Sequence, residues 1–321
     1  MKKLLSSLLA LTLVLSLAFA FTGCGEKKAN DKYVVGICQL VQHAALDAAT
    51  QGFMDALNEA LPGKVEFQNK NASGEANNCA TIVNGFVSDK VDLIMANATP
   101  ALTAAVSATK DIPILGTSIT AYGVALDIAD FSGTVGGNVS GTSDLADLSA
   151  QAAMITEWFP DTKTVGLLFC SAEPNSRYQI EEVAKYLADK GIESKEFAFT
   201  DTNDVTAVTQ AAADYADVIY IPTDNTAAAN TEAIANILVP AGVPAICGEE
   251  GICSGCGVAT LSISYYDLGV TTGKMAAKIL TGETDISKMP IEYTSATKKY
   301  NASMCDALGI KPLDGYTAIG E

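Results

Sequence analysis

Apolar positions along this chain follow two rhythms. Short unbroken runs, such as Leu93 to Ala96 and Val218 to Ile221, have the length and continuous apolarity of strands buried on both faces. Longer stretches repeat at helical spacing. Leu46, Ala49, Phe53, Ala56, Leu57 and Ala60 share one face of a helix expected over Ala44 to Leu61, and Pro62-Gly63 stops it. The two rhythms alternate. Strands are expected at Tyr33 to Leu40, Val65 to Asn69, Leu93 to Ala96, Ile112 to Gly116, Thr164 to Phe169, Ser194 to Phe199, Val218 to Ile221 and Pro244 to Gly248. Helices are expected at Glu75 to Ser88, from Thr99-Pro100, and at Leu145 to Phe159, Ser176 to Lys190, Val205 to Tyr215, Thr226 to Leu238 and Tyr265 to Leu280. Ile291 to Thr294 and Ser303 to Leu308 close the chain. Such alternation implies an α/β fold with doubly wound parallel sheets.

Landmarks recur. Val35-Gly36-Ile37 returns as Val165-Gly166-Leu167, the run from Asp92 as that from Asp217, and Ile112-Pro113 as Val243-Pro244, at offsets of about 125 to 131 residues. The offset is too long for a solenoid and marks two similar lobes in tandem. Between them, Gly133 to Asp144 is glycine-rich without helical period, and the chain is expected to cross lobes there. It has neither GxxxxGK[ST] nor a GxGxxG after a strand, so it does not read as a phosphate loop.

Residues 1–23 read as a secretory signal: Lys2 and Lys3, an apolar core from Leu8 to Leu15 too short for a membrane span, then small residues. Phe21-Thr22-Gly23-Cys24 resembles a bacterial lipobox, with Phe21 where leucine is usual. It implies cleavage before Cys24, lipidation of that thiol, and a tether over residues 24–32; the alternative is an ordinary signal peptide with an incidental cysteine. The formal charge of −17 argues against nucleic acid as partner. Seven cysteines remain beyond Cys24, an odd number for an exported protein. Cys253-Ser-Gly-Cys256 has CxxC spacing, but with a single histidine and no second CxxC a zinc site has no support, leaving a local disulfide or unpaired thiols.

In parallel sheets, ligands bind at the carboxyl ends of the strands. The first lobe brings Gln39, Gln42, His43, Asn97, Thr99, Thr117 and Ser118 there, and the second Glu173, Asn175, Ser176, Asp224, Asn225, Glu249 and Glu250. Thr99-Pro100 is a helix start that attracts a carboxylate, and Glu173 or Asp224 can hold an ammonium, so a zwitterion suits the set. Asp224, Asn225, Ser176 and Thr99 also read as plain helix caps, and His43 as a structural residue. No GxSxG or HExxH is present. The enzyme alternative is a metal-free two-cysteine racemase or a Cys–His hydrolase using Cys38 and Cys170, which requires depressed thiol pKa values.

These segments together resemble the lipoprotein substrate-binding components of ABC importers, of the tryptophan and tyrosine uptake type. The resemblance is carried by Val35-Gly36-Ile37 with His43-Ala-Ala-Leu-Asp47, Ala98-Thr99-Pro100, Asn138-Val-Ser-Gly-Thr-Ser-Asp144, Glu173-Pro-Asn-Ser176, Ile221-Pro-Thr-Asp-Asn225 and Tyr265-Tyr-Asp-Leu-Gly269. Thr117-Ser118-Ile119-Thr120 stands where the family tends to have Thr-Asp-Pro. The resemblance implies a type I periplasmic-binding-like fold with a ligand cleft between two lobes, one of residues 33–140 plus about 265–290, the other of 141–264 plus about 291–321. It implies capture of an aromatic amino acid for a permease and its ATPase subunits, outside the cytoplasm, with no catalysis, cofactor or metal. Gln39, His43, Asn97, Thr99, Thr117, Ser118, Ser143, Asp144, Glu173, Ser176, Asp224 and Asn225 are the candidate ligand-binding residues, with Tyr122 in the wall against the ring. A branched-chain amino acid, a nucleoside or a sugar is the alternative ligand.

Overall fold

A computed structural model describes residues 32–320; the signal, Cys24 and the tether lie outside the described residues. The first lobe begins β1 (Tyr33–Gln39), α1 (Ala44–Ala60), β2 (Val65–Asn71), α2 (Ala76–Asp89), β3 (Leu93–Asn97), α3 (Thr99–Ala108), β4 (Ile114–Ile119), α4 (Tyr122–Ala125) and β5 (Val139–Ser143). The second holds α5 (Leu148–Trp158), β6 (Thr164–Cys170), α6 (Pro174–Asp189), β7 (Glu193–Phe199), α7 (Val205–Ala213), β8 (Val218–Ile221), α8 (Asn225–Ala228), α9 (Thr231–Ala241), β9 (Ala245–Cys247), α10 (Glu250–Cys256) and β10 (Ala259–Ile263). The chain then returns to the first lobe as α11 (Tyr265–Leu280) and β11 (Glu292–Tyr293), and ends in the second as β12 (Ala296–Tyr300), α12 (Ala302–Leu308) and β13 (Thr317–Ala318).

The first sheet runs β11-β5-β4-β3-β1-β2, all parallel. The second runs β13-β12-β10-β9-β8-β6-β7, parallel except where β12 meets β10. Every residue of β3 and of β8 is buried, as their unbroken apolarity requires when helices cover both faces. The repeated landmarks occupy equivalent places, since Val35 pairs with Leu93 and Val165 with Val218.

Several expectations need correction. The stretch over Gly133 to Asp144 contains a fully buried strand, β5, whose Ser and Thr residues carry little of a strand's apolar signal. Their hydroxyls are satisfied internally: Ser140 Oγ donates to the Met289 carbonyl (3.0 Å), and Thr142 Oγ1 lies 2.9 Å from Thr272 Oγ1. The crossing therefore follows Ser143, and residues 141–143 belong with the first lobe. So does the segment around β11, because Glu292 pairs with Thr142 and Ile291 is buried in the first lobe's core. Helix α5 starts at Leu148 rather than Leu145, where Asp147 Oδ1 accepts from the N–H groups of Ser149 (2.9 Å) and Ala150 (3.0 Å). The helix expected from Thr226 is broken at Asn230, whose Nδ2 donates to the Thr226 carbonyl (2.7 Å). Strands β10 and β12 and helix α10 were not expected from the pattern.

Helix α11 locks the returning segment onto the first lobe by lying almost backbone to backbone on α1. A Cβ on Gly269 would overlap the Ala49 carbonyl, and one on Gly52 the Tyr266 carbonyl. Replacing Gly269 by Ala should therefore cost about 1–3 kcal/mol, read as a lower urea midpoint. Gly85, with open space around it on α2, serves as the control: Gly85→Ala should be neutral or slightly stabilising. Equal stability of the Gly269 variant and the parent would contradict the close approach.

Candidate functional site

The carboxyl ends of both sheets face each other, and each wall is built by a strand-to-helix junction. On the first lobe, Gln39 at the end of β1 donates to the Val41 carbonyl (2.9 Å) and Asp47 Oδ1 (2.7 Å), and accepts from Thr50 Oγ1 (2.6 Å). Asn97 Nδ2 donates to the Leu46 carbonyl (2.9 Å) and Thr50 Oγ1 (3.0 Å). These two amides clamp α1 to the sheet from behind. His43 precedes that helix in extended conformation and makes no capping bond, so its ring is free to face the cleft. Near the carboxyl end of β4, a register shift between Gly116 and Ile119 accompanies Ser118 at φ +56, a left-handed backbone uncommon for serine.

The second wall centres on α8. Glu173 Oε1 accepts from the N–H (2.8 Å) and hydroxyl (2.8 Å) of Thr226, while Oε2 accepts from the N–H (3.0 Å) and Nδ2 (2.6 Å) of Asn225. Asp224 Oδ1 accepts from the Ala227 N–H (2.7 Å) and Oδ2 from the Cys170 N–H (2.6 Å). Asn175 Nδ2 donates to the Thr223 carbonyl (3.1 Å), which turns its Oδ1 away from that bond. At the crossover, Tyr265 donates its hydroxyl to Asp144 Oδ2 (2.9 Å), and Glu249 caps α10 through the N–H groups of Gly251 (2.6 Å) and Ile252 (2.5 Å).

Between these walls lies a central gap. His43, Leu46, Ser118 and Thr120 line it from the first lobe, Asn175, Thr223, Asp224, Asn225, Ala228 and Glu249 from the second, with Asp144 and Tyr265 at the crossovers. His43 Nε2 reaches Asn225 Oδ1 across it (3.3 Å), so the lobes are closed. The space totals about 270 Å³, but a water-sized sphere can move its centre through only about 10 Å³ of it. A ligand larger than water enters only as lobes or side chains move apart. A second, roomier pocket, largely apolar, totals about 740 Å³, of which about 350 Å³ is open to the centre of a water-sized sphere; it adjoins the gap behind Glu249 and Tyr265, against Ala45, Ile263 and Tyr266.

Four buried polar atoms on residues lining the central gap have no partner among the described residues: His43 Nδ1, Ser118 Oγ, Asp144 Oδ1 and Asn175 Oδ1. Such atoms are costly unless something else pairs with them. Among the described residues, three carboxylates and no lysine or arginine line the gap. Burial pushes Asp144 above its ordinary range, Asp224 up to about 8 with the Glu173 charge adding to it, and Glu249 up to about 7. Burial also holds the His43 imidazole below its usual pKa. The closed gap thus disfavours uncompensated negative charge, and a cation placed in it would draw these carboxylates back toward their ionised form.

Of the expected residues, the structure brings His43, Ser118, Asp144, Asp224 and Asn225 to the gap. Gln39 and Asn97 stand behind the wall, and Thr99 starts α3 without lining the gap. Thr117 Oγ1 meets Thr142 and Thr272 (3.2 Å each), fastening α11 to the sheet. Ser143 Oγ donates to the Thr120 carbonyl (3.0 Å) and accepts from the Leu145 N–H (3.2 Å). Ser176 is buried beside Asn175. Glu173 is corrected from ammonium partner to scaffold, because both its oxygens are taken by the start of α8. Tyr122 is corrected as well: its hydroxyl donates to the Thr142 carbonyl (3.1 Å) and its ring stacks on Phe131 in the first lobe's core. Leu46, Thr120, Thr223, Ala228 and Tyr265 were not singled out, and Asn175 and Glu249 were placed at the strand ends without being selected.

All seven described cysteines are unpaired and buried, Cys253 and Cys256 included. The hydrogen bond between Cys38 and Cys79 raises Cys38, with burial adding to it, and lowers Cys79, while Cys170 is pushed up to about 11 by burial and by the Asp224 and Glu173 charges. A nucleophilic thiol at Cys38 or Cys170 needs the opposite shift. Among the described residues no group of three or more His, Cys, Asp or Glu could hold a metal ion, and no helix is long and apolar enough to cross a membrane.

Comparison with known proteins places this geometry. A family model described as ABC transporter substrate binding protein matches residues 34–312. A tyrosine-binding protein of Clostridioides difficile is 32% identical over 92% of this chain and 89% of its own length. Among solved structures, an ABC domain from Streptococcus pneumoniae in complex with L-Trp is 29% identical, with a TM-score of 0.85 over 90% of this chain and all of that one. A substrate binding protein with adhesive properties from Clostridium difficile, in a ligand-free, open form, is 32% identical but scores 0.68 over 89% of this chain and 99% of that one. The lower overlap at higher identity is what a different angle between the lobes produces. The chain belongs to the family of ABC transporter substrate binding proteins.

Proposed function

We propose that this protein captures an aromatic amino acid between its lobes and hands it to the permease of an ABC importer. The observation that carries this reading is the set of four unpartnered polar atoms around a gap whose charged groups are all acidic. An α-ammonium beside Asp144 Oδ1, within reach of Asn175 Oδ1, supplies the missing cation and donors. The α-carboxylate then takes the Ser118 hydroxyl and the backbone of the turn that carries it. Leu46 and Ala228 offer apolar surface to a ring. Relatives of about 30% identity that are named for tyrosine or hold L-Trp support an aromatic side chain over a branched one.

Binding by closure requires that the ligand touch both walls, so its contacts favour the closed arrangement over the open one. Export and a lipid on Cys24 complete the proposal: the lipobox-like Phe21-Thr22-Gly23-Cys24 would hold the protein at the outer face of the cell membrane, next to its permease.

Calorimetric titration of the signal-free protein, unfolded and refolded to strip carried-over ligand, tests the reading. Tyrosine, tryptophan or phenylalanine should bind at micromolar or lower concentration, and Asp144→Asn should weaken binding at least about tenfold while leaving the melting temperature close to the parent's. Binding only of a nucleoside or sugar, or an unchanged affinity in the variant, would contradict it.

A dependence on pH follows from the raised carboxylates. Asp224 and Glu249 keep their protons up to about 8 and about 7 in the folded protein, whereas unfolded carboxylates lose them near about 4. The native state therefore binds more protons in that window, and these groups' contribution to stability falls as pH rises through it. An ammonium placed among them offsets the loss. The rise in melting temperature on adding the amino acid should be larger at pH 8 than at pH 5; an equal or smaller rise at pH 8 would argue against an ammonium in this site.

A further inference from the structure

The amide of Asn225 fixes the tautomer of His43. Asn225 gives both its Nδ2 (2.6 Å) and its backbone N–H (3.0 Å) to Glu173 Oε2, so the atom it turns to His43 Nε2 is the carbonyl oxygen, Oδ1. An acceptor opposite Nε2 places the ring proton there. The imidazole is neutral, its charged form disfavoured by burial, and Nδ1 keeps a lone pair. That nitrogen is buried on a residue lining the central gap with no donor among the described residues, and the start of α1 makes no use of the side chain.

The groups of the gap divide by place. Asp144 and Tyr265 are hydrogen-bonded at the crossover, close enough to Glu249 that the Asp144 charge acts on Glu249 and the Glu249 charge on Tyr265. His43 and Asn225 stand instead on the two facing helix starts, with Leu46 and Ala228 following them within a turn. An amino acid with its ammonium on Asp144 and its ring against Leu46 and Ala228 directs the far edge of the ring to His43. We propose that His43 Nδ1 is a specificity-determining acceptor, favouring ligands whose ring carries a donor, a phenol O–H or an indole N–H, over a bare phenyl ring. This assignment rests on reading the gap as an aromatic amino acid site. The physical reason is asymmetric: a phenyl edge against a buried acceptor leaves it unpaired, and a site built to hydrogen-bond a group discriminates against analogues that lack it.

The test is a calorimetric comparison of L-tyrosine, L-tryptophan and L-phenylalanine on the refolded protein and on His43→Phe and His43→Leu, with thermal melts to establish that each variant folds. Wild-type protein should bind phenylalanine about tenfold more weakly than tyrosine or tryptophan, and in both variants that ratio should shrink to within about threefold. Both variants also lose the contact to Asn225, but that loss falls on all three ligands, so the ratio is the readout. Equal wild-type affinity for the three would overturn the assignment and leave the aromatic reading standing. A ratio that survives in the variants would also overturn it, and would direct the ring to the apolar pocket behind Tyr265 instead. Binding of none of the three would overturn the aromatic reading and the assignment with it.

Discussion

Asp144, Asp224 and Glu249 are held out of water between two lobes, and among the described residues no lysine or arginine lines the gap beside them. A buried carboxylate in that position keeps its charge only at a cost, and each of the three is pushed toward its neutral form. Asp224 and Glu249 offset part of the cost by accepting backbone N–H groups at helix starts. Asp144 accepts the Tyr265 hydroxyl on Oδ2, and its Oδ1 makes no hydrogen bond within the described residues. The whole arrangement is thus poised for a cation that brings its own donors, and an α-ammonium meets both needs at once.

The fold makes this placement possible. Parallel strands end on one edge, so two sheets set edge to edge bring their junction loops into a common space. Scaffold residues then fix the loops: Glu173 ties down α8, Gln39 and Asn97 tie down α1, and the Thr117, Thr142 and Thr272 hydroxyls hold α11 against the first sheet. Because these hydrogen bonds lie within a lobe, they survive when the lobes part. The His43 to Asn225 contact is of the other kind, since it spans the gap and is made only in the closed arrangement. Affinity then depends on how much a ligand adds to the closed state alone.

Much of this is legible in the sequence. The alternation of apolar runs and helical faces located most central strands and helices, and the repeated landmarks marked two lobes. Strand β5 was missed because Val-Ser-Gly-Thr-Ser has small polar residues where a pattern reader seeks branched apolar ones, and its fitness for a strand lies in partners far along the chain, Met289 and Thr272. The site was legible only in part. Strand-end logic found His43, Ser118, Asp224 and Asn225, but periodicity cannot tell a carboxylate facing the gap from one facing a helix start. Glu173 and Asp144 look alike in sequence; their hydrogen bonds separate them. Tyr265 joins the site because the chain crosses between lobes just before it, which depends on topology rather than on local pattern.

The most direct measurement is a crystal structure of the protein grown with L-tyrosine. The ammonium nitrogen should lie about 3 Å from Asp144 Oδ1, the carboxylate at the Ser118 turn, and the ring against Leu46 and Ala228. An ammonium seated on Glu173, or a ligand lodged only in the apolar pocket behind Glu249 and Tyr265, would contradict it.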